Sequence, residues 1–145
     1  MSMVALLLIF STVLVAQTKK PVPAKAVAGP LAKPSAAKGK VVYTTYCLPC
    51  HQADGGGTPN MNPPLIKTTY VTGDKTRLIK ILLNGFNEEV EIDGATYSNP
   101  MPQHNFLSDE DIANVLTFVR SSFGNKVSAV NQGEVKKVRA VNGGN

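Results

Sequence analysis

The stretch Cys47-Leu48-Pro49-Cys50-His51 holds the only two cysteines of the chain, and the use made of those thiols decides what such a sequence can fold into. Two thiols three positions apart, followed at once by an imidazole, admit four uses: a structural disulfide, a redox dithiol, a zinc site, or a covalent haem anchor. A disulfide across two intervening residues closes too small a loop to stabilise much. A redox dithiol wants a strand-and-helix setting, and no strong strand pattern precedes Cys47. A zinc site needs four ligands, and the chain offers Cys47, Cys50, His51 and His104 without the usual second-pair spacing. C-x-x-C-H is the spacing of c-type haem attachment. Thiols three apart on a helical turn reach the two vinyl groups on one edge of a porphyrin, and the following His projects beneath the ring toward the iron.

Composition makes such a group useful. At 145 residues the chain makes one domain with extensions, and its five Phe, four Tyr and no Trp give a small core that a cofactor would complete. The net charge of +5 is unevenly spread. Residues 1–40 carry six lysines and no acid, whereas residues 41–145 carry nine basic and ten acidic residues. The basic character therefore belongs to an N-terminal arm. No basic patch interleaved with aromatics appears, which argues against a nucleic-acid partner.

Residues 4–16, VALLLIFSTVLVA, form an apolar run of signal-peptide length, too short for a comfortable membrane span. Residues 1–16 thus read as an export signal, or as a retained anchor, since no Lys or Arg precedes the run. Residues 17–38 are a Pro/Ala/Lys-rich tether whose like charges keep it solvated and let it lie along an anionic membrane surface. The folded body spans 39–125, and 126–145 form a C-terminal extension in which 133–140 are a short helix or a frayed tail.

Within the body the regular pattern is helical. A short helix over 39–47 runs into the cysteine motif. Asp74 caps TRLIKILLNG, with Leu78, Ile81 and Leu82 on one face and Gly85 as the stop. Ser108 caps the best-defined helix, with acids at 109–111, Asp111 in the capping-box position and Leu107 and Ile112 at staple spacing. Ile112, Val115, Leu116, Val119 and Phe123 then recur at helical spacing, and Gly124 ends the run. Residues 86–106 read as loop, with a short turn at Asp93-Gly94. The class is all-α: three to four short helices with long loops wrapped around one haem.

Iron also needs a sixth ligand or an open site. Met61, Met101 and His104 are the candidates. Met61 lies only ten residues after His51, a short path to the far face of a large ring. His104 sits among polar neighbours that suit an exposed side chain. Met101 is favoured, because Pro100 and Pro102 stiffen its loop and hold the thioether at little entropic cost.

With those residues placed, the chain resembles the monohaem class I cytochromes c of bacterial type, over about residues 39–125. In that family a Gly on the first helix stands four residues before an aromatic and eight before the first Cys, as Gly39, Tyr43 and Cys47 do here. An aliphatic and an aromatic on the last helix pack on that Gly, and Val115 and Phe118 look like the pair. A Gly-rich loop leads to a Pro-Leu whose Pro carbonyl receives the N–H of the iron-binding His, which points to Pro64. Met101-Pro102 is similar to the family's Met loop.

The resemblance implies a small cytochrome c-like fold carrying one covalent haem c through Cys47 and Cys50, with His51 and Met101 on the iron. It further implies one-electron transfer between transient redox-protein donors and acceptors, with no small-molecule substrate and no catalysis by the chain. The expected place is the periplasm, membrane-tethered if the N-terminal segment is retained. The alternative is a haem-bearing subunit of a larger periplasmic dehydrogenase.

Overall fold

A computed structural model describes residues 32–142. The signal segment 1–16 and residues 17–31 of the tether lie outside the described residues. Helix α1 (Ala36–Tyr46) begins three residues before the Gly39 at which sequence patterning starts the body. Ser35 explains the earlier start: its side chain accepts from the Lys38 N–H, and its own N–H donates to Asn114 Oδ1 at 2.7 Å.

α1 packs along α5 (Asp109–Ser121), the most extensive helix pair of the fold. Gly39 lies at their contact, where a Cβ would stand 2.0 Å from Asn114 O and 2.8 Å from Phe118 Cβ. Phe118 thus takes the expected place on the glycine, while Val115 is turned to the cleft described below. One turn on, the Tyr43 ring lies 5.3 Å from Phe118 and 5.4 Å from Phe123.

The one-turn helices α2 (Leu48–His51) and α3 (Thr69–Thr72) flank the loop that follows the cysteine motif. α4 (Lys75–Asn84) has the expected ends, with Asp74 accepting from the Arg77 N–H at 2.6 Å and Gly85 as its cap. Ser108 caps α5 and Leu107 and Ile112 are buried, as patterning requires. The end of α5 differs from expectation: the helix stops at Ser121, and Phe123 and Gly124 both take positive φ (57° and 79°). Phe123 therefore does not continue the helical stripe. Its ring turns back onto Tyr43 and onto Gly55, where an added Cβ would lie 2.6 Å from it.

Residues 90–97 are not loop. Strands β1 (Val90–Ile92) and β2 (Ala95–Tyr97) pair antiparallel, Val90 opposite Tyr97. Their two-residue turn, Asp93-Gly94, has φ of 52° and 78°, the positive pair that matches strand twist. At the other end of the chain, Gln132–Asn142 form α6, which packs on α4 and α5. Val130, Val135 and Val138 are buried in the same core as Val71, Ile79 and Ile112. Arg120, also buried, donates to the carbonyls of Val71, Gly73 and Ser128 and so fastens α5 to segments on both sides.

Candidate haem site

Between α2, α4, α5, the hairpin and the 98–104 loop lies a cleft holding about 1180 Å³ between its walls and the solvent. Its walls are apolar: Leu65, Leu78, Ile81, Leu82 and Val115 all face it, and Glu88 is the one acidic or basic residue besides histidines in its lining. Cys47, Cys50, His51, Pro64 and Met101 all line it too, so the folded chain brings the five candidate residues to one cavity.

Cys47 and Cys50 are free thiols, Cys47 half-buried and Cys50 exposed. Burial, and then the neighbouring Cys50, pushes the Cys47 thiol up to about 11. A redox dithiol needs the opposite shift. Among the described residues no three His, Cys, Asp or Glu side chains converge on a metal position.

The His51 ring is buried, and its Nδ1 stands 3.0 Å from the carbonyl oxygen of Pro63. A carbonyl can only accept, so Nδ1 carries the proton and Nε2 keeps its lone pair. Burial holds the imidazole below the ordinary histidine range, against the pull of the Pro63 carbonyl, and nearby His104 pushes the same way as burial. The partner is Pro63, one residue before the expected Pro64, which lines the cavity instead. The loop's fastening explains the register: Thr58 bridges Asn62 on one side and the Leu65 N–H donates to Gly55 O at 2.7 Å on the other, which aims the Pro63 carbonyl at the ring.

Met101 is pinned by its backbone. Its N–H donates to Phe86 O at 2.7 Å and its carbonyl accepts from the Phe86 N–H at 2.9 Å. This bridge passes so close to α4 that a Cβ on Gly85 would lie 2.5 Å from Met101 O, so the helix stop doubles as clearance for the Met loop. Met61, by contrast, is 49 % exposed and does not line the cleft.

His104 departs from expectation. It is buried, lines the cleft, and is covered by the Tyr46 and Phe106 rings while its N–H donates to Leu82 O. Sequence reasoning also missed Val90, Ile92 and Tyr97, which supply one cleft wall. Their signal was present: an Asp-Gly pair between V-E-I and A-T-Y is a hairpin pattern.

A family model described as Cytochrome c matches residues 36–123. The chain belongs to the cytochrome c family. Over 113 residues it is 34 % identical to cytochrome c-552 of Thermus thermophilus, covering 72 % of this chain and 86 % of that protein. It is 35 % identical over 104 residues to the cytochrome c subunit of a quinone alcohol dehydrogenase from Gluconacetobacter polyoxogenes, and 31 % identical over 112 residues to a fructose dehydrogenase cytochrome subunit from Gluconobacter japonicus. Each of these two matches covers 70 % of this chain and 22 % of the relative.

This cytochrome c therefore carries one covalent haem c with its iron, and its function is haem-based electron transfer. The residues fit that group on the structure's own terms: an apolar cleft, two free thiols at attachment spacing on its wall, and an imidazole whose outer nitrogen has a lone pair to give. No helix among the described residues is long and apolar enough to cross a membrane.

Proposed function

We propose that this cytochrome c is a one-electron carrier whose haem is held by Cys47 and Cys50 and ligated by His51 Nε2 and Met101 Sδ. The observation that carries this is the His51–Pro63 hydrogen bond in a cleft that Met101 also lines, which presents one nitrogen donor and one thioether to a common cavity. Bound haem supplies an iron that cycles between two oxidation states by one electron. The Pro63 carbonyl orients the His51 ring and fixes its tautomer. The Met101 thioether favours the reduced iron, and the apolar walls from Leu65 to Val115 do the same by excluding water. With His51 and Met101 both holding the iron, no position would remain on it for a substrate, and redox proteins would meet the chain transiently as donor and acceptor. The apolar run at 4–16 supports export to the periplasm, and the lysines of the tether support contact with a membrane surface.

The test is Met101→Ala in the haem-loaded protein. Loss of the thioether-to-iron absorption band, a lower reduction potential and new carbon monoxide binding by the reduced form are the expected results. An unchanged band in the variant would remove Met101 from the iron.

The dehydrogenase-subunit relatives favour a second reading, in which the domain is a fixed haem module of a larger complex. The 86 % coverage of a cytochrome c-552 favours the separate carrier. Size-exclusion chromatography of native extract distinguishes them, since a module co-elutes with a large partner.

A further inference from the structure

The loop that carries Met101 has little of its own to hold it shut. Ser98–Leu107 contain no Lys, Arg, Asp or Glu, and Pro100 and Pro102 have no N–H to donate. Its middle is bridged to Phe86, and the His104 N–H donates to Leu82 O at 2.7 Å. Its exit, where the chain turns into α5, is held from far along the sequence. Arg139, on α6, donates from Nη1 to Asn105 O at 2.8 Å and from Nη2 to Leu107 O at 2.7 Å. Among the described residues no other donor reaches either carbonyl. Nε of the same side chain donates to Asp109 Oδ1 at 2.7 Å, in the first turn of α5.

One guanidinium thus joins the Met101 loop, the start of α5 and α6. A planar fork suits the task, because its donors point in fixed and different directions, whereas an ammonium is a single compact charge. Asp109 neutralises the cation, so the two carbonyls gain charge-assisted bonds without an unpaired charge beside them. α6 is a firm base for the fork, since Val135 and Val138 are buried in the core and Asn142 pairs with Asn84 through both amides. Asn84 ends α4 and precedes the Gly85 that clears Met101 O. α6 therefore grips the Met101 loop at its exit and braces the end of α4 beside its central bridge. Yet α6 lies beyond residues 36–123, the part matched to the family.

We propose that Arg139 is a positioning residue for electron transfer: from the C-terminal helix it keeps the Met101 loop closed, so that the thioether stays on the iron. The proposal rests on the reading of Met101 as an iron ligand. Without the fork, the loop exit has two carbonyls lacking partners, and the loop opens locally while the core stays folded.

Imidazole added to the oxidised full-length holoprotein takes the Met101 position only where the loop has opened, so its apparent affinity reads the open fraction. Arg139→Gln is expected to tighten imidazole binding about tenfold, as loss of one hydrogen bond from a charged donor does. The same variant is expected to speed hydrogen exchange at the His104 and Leu107 amides. Arg139→Lys keeps a charge beside Asp109 but not the fork, and is expected to behave as the Gln variant does. Where the Gln variant does not hold haem, the Lys variant decides by the same measure. Lys75→Gln is the control, because Lys75 bonds Glu134 and Ala129 O at the start of α6 and touches no residue of the loop. It is expected to lower the urea midpoint and leave imidazole affinity at the wild-type value. Wild-type imidazole affinity in the Arg139 variants would overturn the proposal and leave Met101 on the iron. An equal gain in Lys75→Gln would also overturn it, since α6 would then act only as general support. A wild type with no thioether-to-iron band would remove the Met101 reading and the proposal together.

Discussion

Gly39 shows how little room a single residue has here. Its missing side chain lets α1 settle against the Asn114 carbonyl, and no rotamer of any larger residue relieves a 2.0 Å approach to backbone. Gly39→Ala should therefore push the helices apart at a cost near the upper end of roughly 1–3 kcal/mol, as overpacking does. Urea unfolding of the holoprotein, read as a lower midpoint at unchanged slope, checks this. A midpoint within error of wild type would mean that the helices do not meet so closely. Gly39 was legible through the resemblance to the family, which places a Gly at this spacing from an aromatic and the first Cys, as Tyr43 and Cys47 stand here. The identity of the carbonyl facing His51 was not, because Pro63 and Pro64 are adjacent prolines and only the pinned loop decides which one faces the ring.

At the scale of elements, the loop that carries Pro63 is tied to the turn after α5 by one amide. Asn125, buried, accepts from the Lys67 N–H at 2.7 Å and donates to Leu65 O at 2.9 Å and Val119 O at 2.8 Å. Asn125→Ala leaves the Lys67 N–H and Leu65 O without partners, each worth roughly 1–3 kcal/mol when buried, while Val119 O keeps the Ser122 N–H. The expected outcome is a loss of about 3 kcal/mol in stability, together with faster hydrogen exchange at the Lys67 amide. Protection of that amide at the wild-type level would contradict the assignment. Elements with strong local signals were legible: Asp74 and Ser108 cap the helices that their spacing called for. α6 was only half legible, although Asn131-x-x-Glu134 is a capping pair, the Glu134 N–H donating to Asn131 Oδ1 and the Asn131 N–H to Glu134 Oε2.

Across the whole molecule, α6 closes the fold by landing on residues far away in sequence. Lys75 Nζ lies 3.0 Å from Glu134 Oε1 and donates to Ala129 O, and Arg139 Nε lies 2.7 Å from Asp109 Oδ1. Burial alone would raise the Glu134 pKa, but the Asn131 N–H and Lys75 outweigh it and hold the carboxyl below its ordinary value of 4.5. A carboxylate lowered in the folded state stabilises the fold above its unfolded pKa, and that contribution fades as pH falls through the lower, folded value. Acidification below about 4.3 should therefore loosen α6, and Glu134→Gln should flatten that part of the stability-versus-pH curve. Thermal melts of both proteins from neutral pH downward check it, and identical pH slopes would count against the pair.

The sequence by itself determined the chemistry and the local geometry. Two thiols and an imidazole at attachment spacing and capped amphipathic helices act within a turn or two of chain, where spacing is sufficient information. Tertiary structure alone decided the contacts that cross the fold. It made Pro63 the partner of His51, turned Phe123 back onto Tyr43, stood the hairpin as a cleft wall and buried His104 beneath Tyr46 and Phe106. Those outcomes depend on which distant surfaces exclude water from one another, a property of the packed whole that no local pattern encodes.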